Sequence, residues 1–382
     1  MPASVSDAFF PRPLPAPATV GMALADVDTP AALLDLDAFE RNLDRLTASL
    51  AGTSVQLRPH AKSHKCPEIA RRQIARGAVG VCCQKVSEAE AFVRSGIKNV
   101  LVANEVVGPR KLERLAALAR DAHMGVCVDD AGNLADLRQV VDAAGLTLDV
   151  YIEVNVGANR CGVEPGAPVV ELARRIGGGL RFAGLQAYQG AAQHLRSPDD
   201  RAQAIAQAVA KLQLTQAALK QAGLRAPIIT GAGTGTYPLE AGSHIYNELQ
   251  VGSYIFMDAD YGRNLGADGL PVHLFEHSLF LLATIMSHPV PQRAVVDIGL
   301  KAHSVDSGLP LVHDRPGVVY TKAADEHGVL TLGEGVRVRL GEKIKLIPGH
   351  CDPTVNLYDW LVCYRGDRVE EIWPITARGA FY

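Results

Sequence analysis

From about Thr29 to Met257 the chain alternates short apolar runs with longer amphipathic segments. The apolar runs are Ala32–Leu36, Val55–Arg58, Gly80–Cys83, Val100–Ala103, Gly125–Val128, Leu148–Val154, Phe182–Ala187, Ile228–Thr230 and Leu249–Ile255. Helical spacing falls between them, as in Lys85–Ser95, Pro109–Ala122 and Arg201–Ala222. Gly77, Gly96, Gly145 and Gly223 stand where such helices should stop, because glycine accepts the left-handed residue that ends a helix. Strands separated by helices predict βαβ units and a parallel sheet. Nine runs are one more than a closed eight-stranded barrel needs, so the first could pair outside it. Past about Gly262 the helical spacing disappears. Short β-rich runs follow at Phe280–Met286, Arg293–Asp297, Val318–Thr321, Lys343–Leu346, Trp360–Tyr364 and Glu370–Trp373, with Gly, Pro and Asp between them. This predicts a second, all-β domain.

Composition narrows the class. The chain has 382 residues, 48% hydrophobic and 21% charged, with a net charge of -3. That length allows two domains, and the absence of a basic excess argues against nucleic acid and anionic membrane surfaces as partners. No apolar run approaches the roughly 18–20 residues that span a bilayer. Residues 1–28 are rich in proline and lack a charged start followed by an apolar core, so they read as a tail and not as a signal peptide. Seven scattered cysteines, an odd number with Cys82 and Cys83 adjacent, make a poor disulfide framework and predict a reducing cytoplasm.

In a barrel, chemistry gathers where strands end. The polar residues of this chain cluster there. Arg58, His60 and Lys62 lie in LRPHAKSHK (57–65), and a desolvated lysine can lose its proton and attack a carbonyl. Gln84, Arg160, Tyr188, Gln189 and His194 follow other runs. The loop GAGTGTY (231–237) lets backbone N–H groups approach a phosphate, with Thr234 and Thr236 as extra donors. It does not match a P-loop, and alone it is equally a flexible turn. Gly252-Ser253-Tyr254 closes the next run, and two late barrel loops form a favoured phosphate site. In the β domain, His350 and Asp352 are two residues apart. If extended, they point the same way and can share one ion, with Cys351 facing away. A polar turn before Pro353 is the plainer reading. Asp258 and Asp260 read as a solvated turn, and Cys82 and Cys83 as small buried hydrophobes.

Taken in order, the Lys62 loop, Arg160-Cys-Gly, Gln-Ala-Tyr (186–188), Gly-Thr-Gly (233–235), Gly252-Ser253-Tyr254 and His350-Cys-Asp352-Pro resemble the D-threonine aldolase and D-serine dehydratase-like family. These are pyridoxal phosphate enzymes with an alanine-racemase type of (β/α)8 barrel and a β domain. The resemblance implies that the first strand (29–37) joins the β domain, that 38–262 form the cofactor barrel, and that 263–382 form the β domain carrying a metal site. It implies Lys62 as the covalent anchor of the cofactor. Thr234, Gly252 and Ser253 would hold its phosphate with Tyr261 nearby, and Gln84, Arg160 and Tyr188 would meet its ring. His350 and Asp352 would bind a divalent ion such as Mn²⁺ or Mg²⁺. His194 would be the catalytic base, with His60 as competitor. The strings SEAEAF (87–92), YNELQ (246–250), FMDADYGR (256–263), SVDSGLP (304–310) and PGHCDPT (348–354) resemble the branch that cleaves 3-hydroxy-D-aspartate to glycine and glyoxylate. Dehydratase members often carry cysteine where this chain has Asp352. The alternatives are D-threonine cleavage to glycine and acetaldehyde, or dehydration releasing ammonia. A substrate with a second carboxylate needs a cation near its Cβ, for which Arg263, Lys301 and His303 are candidates. Relatives of this fold imply a homodimer acting on a small molecule.

Overall fold

The computed structural model describes residues 14–382; residues 1–13 of the expected tail lie outside the described residues. Strand β1 (Ala31–Asp35) comes first, and Asp35 then caps helix Leu36–Ser49, its carboxylate accepting from the Ala38 N–H at 3.0 Å. The barrel follows. Its strands are β2 (Gln56–Leu57), β3 (Val81–Cys83), β4 (Asn99–Glu105), β5 (His123–Val128), β6 (Leu148–Glu153), β7 (Leu180–Gln186), β8 (Ile228–Gly231) and β9 (Glu248–Leu249). All pair parallel in the order β2-β9-β8-β7-β6-β5-β4-β3, and a parallel bridge between His60 and Cys82 brings the two ends of that order together. The predicted barrel is therefore present, with helices between most strands. Gly77, Gly96, Gly145 and Gly223 all have positive φ, between 64° and 97°, as helix stops require.

The ninth apolar run differs from expectation. Only Glu248–Leu249 is strand, and Ser253–Ile255 is a 3-10 turn. The chain has to curl there to place Gly252 against the Lys62 turn, so a straight strand would miss the site.

The β domain contains β10 (Leu279–Val290), β11 (Arg293–Val296), β12 (Leu311–Val312), β13 (Val318–Ala323), β14 (Gly328–Leu332), β15 (Lys343–Ile347), β16 (Trp360–Arg365) and β17 (Arg368–Pro374). The sequence pattern missed β12 and β14. The latter reads G-V-L-T-L, and its opening Gly328 reads as part of the turn before it. Strand β1 sits inside this sheet, antiparallel to β10 and parallel to β16. The first apolar run thus belongs to the far end of the chain. One large core runs through barrel and β domain, and a small separate cluster of Cys82, Leu101, Ala103, Cys127, Tyr151 and Ala183 fills the barrel. All seven cysteines are free. No helix among the described residues is long and apolar enough to cross a membrane.

Candidate active site

The segment after β2 breaks into a 3-10 turn, Ala61–Ser63, because His60 caps it: the Nδ1 of His60 accepts from the Lys62 N–H at 3.4 Å. The turn throws the Lys62 side chain into a cavity at the C-terminal ends of the barrel strands. His60 Nε2 lies 2.9 Å from the Gln84 side-chain nitrogen. Gln84 is itself fixed by Glu88, whose carboxylate accepts from the Gln84 N–H at 2.8 Å and the Lys85 N–H at 3.1 Å, and which also pairs with buried Lys65. The SEAEAF string thus builds the wall behind Lys62. Arg58 turns the other way. It pairs with Glu248 at 3.0 Å and donates to Asn99 at 2.7 Å, both residues at strand starts. With its partners at strand starts, the Arg58 guanidinium points toward the N-terminal end of the barrel and does not line the cavity.

Lys62, Gln84, Arg160, Tyr188, His194 and Thr234 line this one cavity. Gly252, Ser253, Tyr261, His350 and Asp352 complete it, so the structure brings every expected site residue together. Lys62 Nζ lies 3.4 Å from Asp352 Oδ2. Burial pulls the Lys62 ammonium down, but Asp352 and the Tyr188 phenol raise it above its ordinary value. Burial pushes Asp352 up, yet Lys62 and His350 more than offset this and hold it at about 2. The Lys62 side chain keeps 40% of its surface open and lines the cavity.

Pyridoxal phosphate needs a phosphate cradle, a covalent amine and a ring slot, and these residues fit. The Thr234 hydroxyl is buried and has no partner among the described residues. The N–H groups of Gly233, Thr234, Gly252 and Ser253 likewise donate to no protein atom among the described residues. Unmatched donors converging on one spot are what an anion requires. A Cβ on Gly252 would meet Ser63 Oγ at 2.6 Å, and one on Gly233 would meet Gln193 Oε1 at 2.5 Å, so both loops need glycine to close. Beside the cradle, the Arg160 guanidinium stands 5.8 Å from the Tyr188 ring centre.

The β domain contributes the other wall. The segment at His350 is not extended as the sequence suggested. His350 caps a short helix, Cys351–Val355, and Asp352 lies in its first turn. Asp258, 0% exposed and far from the expected solvated turn, forces this: its carboxylate accepts from the Tyr261 N–H and the Cys351 N–H, both at 2.9 Å. One buried carboxylate therefore ties the barrel to the His350 loop. His350 Nδ1 meets Asp306 at 2.7 Å, which leaves Nε2 free. Burial lowers the His350 imidazole, but Asp306, Asp352 and Asp258 raise it overall. An imidazole and a carboxylate in one cavity suit Mn²⁺, Zn²⁺ or Mg²⁺ with water or substrate filling the shell.

His194 ends a 3-10 turn, Gly190–His194, and its Nδ1 meets Asp260 at 2.7 Å. Burial holds its imidazole below the ordinary value despite that carboxylate. The Tyr261 ring lies tilted against it, the ring centres 4.9 Å apart. His60 is far more buried and is held well below the ordinary value, by burial first and by Lys62 next. The three candidate cations for a second carboxylate do not reach the cavity. Arg263 is bound to Asp260 at 2.6 Å, Lys301 to exposed Glu326 at 2.6 Å, and His303 to Tyr320 at 3.0 Å. Spacing after the last barrel strand could not show that Arg263 already had a carboxylate three residues back. Sequence reasoning missed Ser63, Gln186 and Gln250 on the cavity wall, and Asp306 behind His350. Each stands inside a string already singled out, LRPHAKSHK, Gln-Ala-Tyr, YNELQ and SVDSGLP, but without a role of its own. A further group, Glu105, Asp129 and Cys161, brings ligand atoms within 4.8 Å of one another near Arg160. Beside it Glu153 is raised to about 8, by burial first and by Glu105 next.

Barrel, anchored amine and anion cradle define a pyridoxal phosphate enzyme of the alanine-racemase architecture. Residues 34–260 match the alanine racemase N-terminal domain and 278–364 the putative serine dehydratase domain. The chain belongs to the D-threonine aldolase and D-serine dehydratase-like family of pyridoxal-phosphate-dependent lyases. It is 48% identical to the 3-hydroxy-D-aspartate aldolase of Paracoccus denitrificans (strain Pd 1222), over 96% of each chain. It is 49% identical to the D-threonine aldolase of an Arthrobacter species, over 96% of this chain and 97% of the other. The crystal structure of D-threonine aldolase from Filomicrobium marinum superposes with a TM-score of 0.93 at 53% identity, covering 96% of this chain and 100% of that one.

Proposed function

We propose that the cavity cleaves the Cα–Cβ bond of D-3-hydroxy amino acids, with 3-hydroxy-D-aspartate, giving glycine and glyoxylate, as the substrate. The observation that carries this reading is the placement of Lys62 Nζ 3.4 Å from Asp352, with His350, His194 and the anion cradle in the same cavity. When bound, pyridoxal phosphate supplies an electron sink and a divalent ion a Lewis acid for the β-hydroxyl. Lys62 anchors the cofactor, and Thr234, Gly252 and Ser253 hold its phosphate. Gln84, Arg160, Tyr188 and Tyr261 confine the ring. His350 and Asp352 hold the ion. His194, neutral because burial lowers it, takes the hydroxyl proton at Nε2. The Cα–Cβ bond then breaks, the hydroxyl carbon leaves as the aldehyde, and Cα regains a proton to give glycine.

D-threonine cleavage is the second reading. It is favoured by the engagement of Arg263, Lys301 and His303 elsewhere, which leaves a second substrate carboxylate to Arg160. The deciding experiment incubates purified protein with each substrate, with Mn²⁺, Mg²⁺ or EDTA, and follows glyoxylate, acetaldehyde and ammonia. Glyoxylate lost on chelation supports the first reading. Ammonia in place of aldehyde sinks both in favour of dehydration. Lys62→Ala should abolish turnover and the absorbance of bound cofactor together. We place the enzyme in the cytoplasm, where seven free cysteines remain reduced, and as a homodimer, which sedimentation would test.

A further inference from the structure

Two imidazoles face the cavity, and each is held at Nδ1 by a carboxylate: His194 by Asp260 and His350 by Asp306, both at 2.7 Å. Both carboxylate oxygens lie at hydrogen-bond distance from a ring nitrogen, and a carboxylate oxygen accepts. Each Nδ1 therefore carries the proton and each Nε2 keeps its lone pair.

The two carboxylates come from different parts of the fold. Asp260 follows the last barrel strand, and Asp306 lies in the loop between β11 and β12. One side chain touches both regions. Arg263 Nη2 donates to Asp260 Oδ1 at 2.6 Å and to the Ser307 carbonyl at 2.5 Å. Arg196 shares Asp260 Oδ1, which leaves Oδ2 to His194. The Asp306 loop is pinned on its other side as well. Ser304 Oγ donates to Asp306 Oδ1 at 2.6 Å, and the Ser304 N–H donates to Thr354 Oγ1 at 3.2 Å. Thr354 in turn donates to the His350 carbonyl at 2.7 Å. Arg263 itself is half exposed and does not line the cavity.

We propose that Asp306 is a positioning residue for His350 and that Arg263 ties the Asp306 loop to Asp260, so that the two imidazoles are set as one unit. The proposal rests on His350 and Asp352 being the metal pair. Its test measures Mn²⁺ binding to the holoenzyme by electron paramagnetic resonance of the free ion, alongside kcat. Asp306→Ala should weaken Mn²⁺ roughly 10- to 100-fold, the range for losing a carboxylate behind a metal-ligating histidine. Arg263→Ala should weaken it too, although Arg263 touches neither ligand, and should also lower kcat through Asp260. Arg263→Lys should recover part of the loss. The double variant should lose less than the product of the single losses, because the two residues act through one loop. Unchanged Mn²⁺ affinity and kcat in Arg263→Ala, or independent losses in the double variant, overturn the tie. A wild type that holds no Mn²⁺ sinks the metal reading instead; the tie is then judged on kcat, where a silent Arg263→Ala overturns it.

Discussion

At the scale of the residue, burial decides which groups are charged. Glu240 is 1% exposed, accepts from the Thr236 hydroxyl at 2.7 Å, and has its second oxygen unpartnered among the described residues. Burial raises its carboxyl from the ordinary 4.5 to about 7. Between those values the unfolded chain has lost the proton while the folded chain keeps it, so the contribution to stability falls as pH rises. Above about 7 the full loss, on the order of 3 kcal/mol, is present. Glu240→Gln removes that slope. Thermal unfolding should show the variant gaining on wild type at pH 8 and not at pH 4; a pH-independent difference would refute the account. His194 is governed by the same force with the opposite sign. Its imidazole is lowered, so the neutral base persists below the ordinary histidine range and kcat/KM should fall only on the acid side of it. His194→Gln should cost roughly 100- to 10,000-fold in kcat, with KM little changed. A pH–rate profile on both proteins checks this, and an unaltered kcat would return the role to His60.

At the scale of the element, the site is made where regular structure fails. The 3-10 turn at Lys62, the curl after β9 and the short helix at His350 each interrupt a pattern that periodicity alone would extend. The long barrel runs were readable because alternation and helix-ending glycines are local. The conformation at His350 was not, because Asp258, 93 residues earlier in the chain, supplies the hydrogen bond that caps it. Arg58 was misplaced for the same reason, because its partner Glu248 is distant in sequence; Arg263 has one distant partner, the Ser307 carbonyl, and one only three residues back, Asp260, which spacing alone did not single out. The close approach of two such elements can be tested. Gly252 has an ordinary negative φ of -115°, so alanine there meets no backbone strain. Its Cβ would instead press on Ser63 Oγ at 2.6 Å and the His60 carbonyl at 3.0 Å. Separating the cradle from the Lys62 turn should cost about 1–3 kcal/mol, or about 5- to 150-fold in cofactor affinity. Equilibrium titration of the apoprotein measures it, and wild-type affinity in Gly252→Ala would show that the two loops need not touch.

At the scale of the whole molecule, the two domains are joined by more than a linker. Strand β1 lies between β10 and β16 and leads directly into helix Leu36–Ser49 of the barrel. Phe39 of that helix packs edge-on against Trp373 at 6.0 Å, and Arg72 covers the same indole at 4.5 Å. The β sheet therefore cannot lose β1 without disturbing the barrel, and the Lys62–Asp352 contact spans the same boundary. Only the β domain contains tryptophan, Trp360 and Trp373, whereas Lys62 and the anion cradle sit on the barrel. Indole fluorescence thus reports one domain and cofactor absorbance the other. On heating or in urea the two signals should change at the same midpoint, as a single cooperative unit requires. If the absorbance vanished while the indoles stayed buried, the barrel would open alone. His350 and Asp352 would then be a separable lid and no longer a fixed wall of the site.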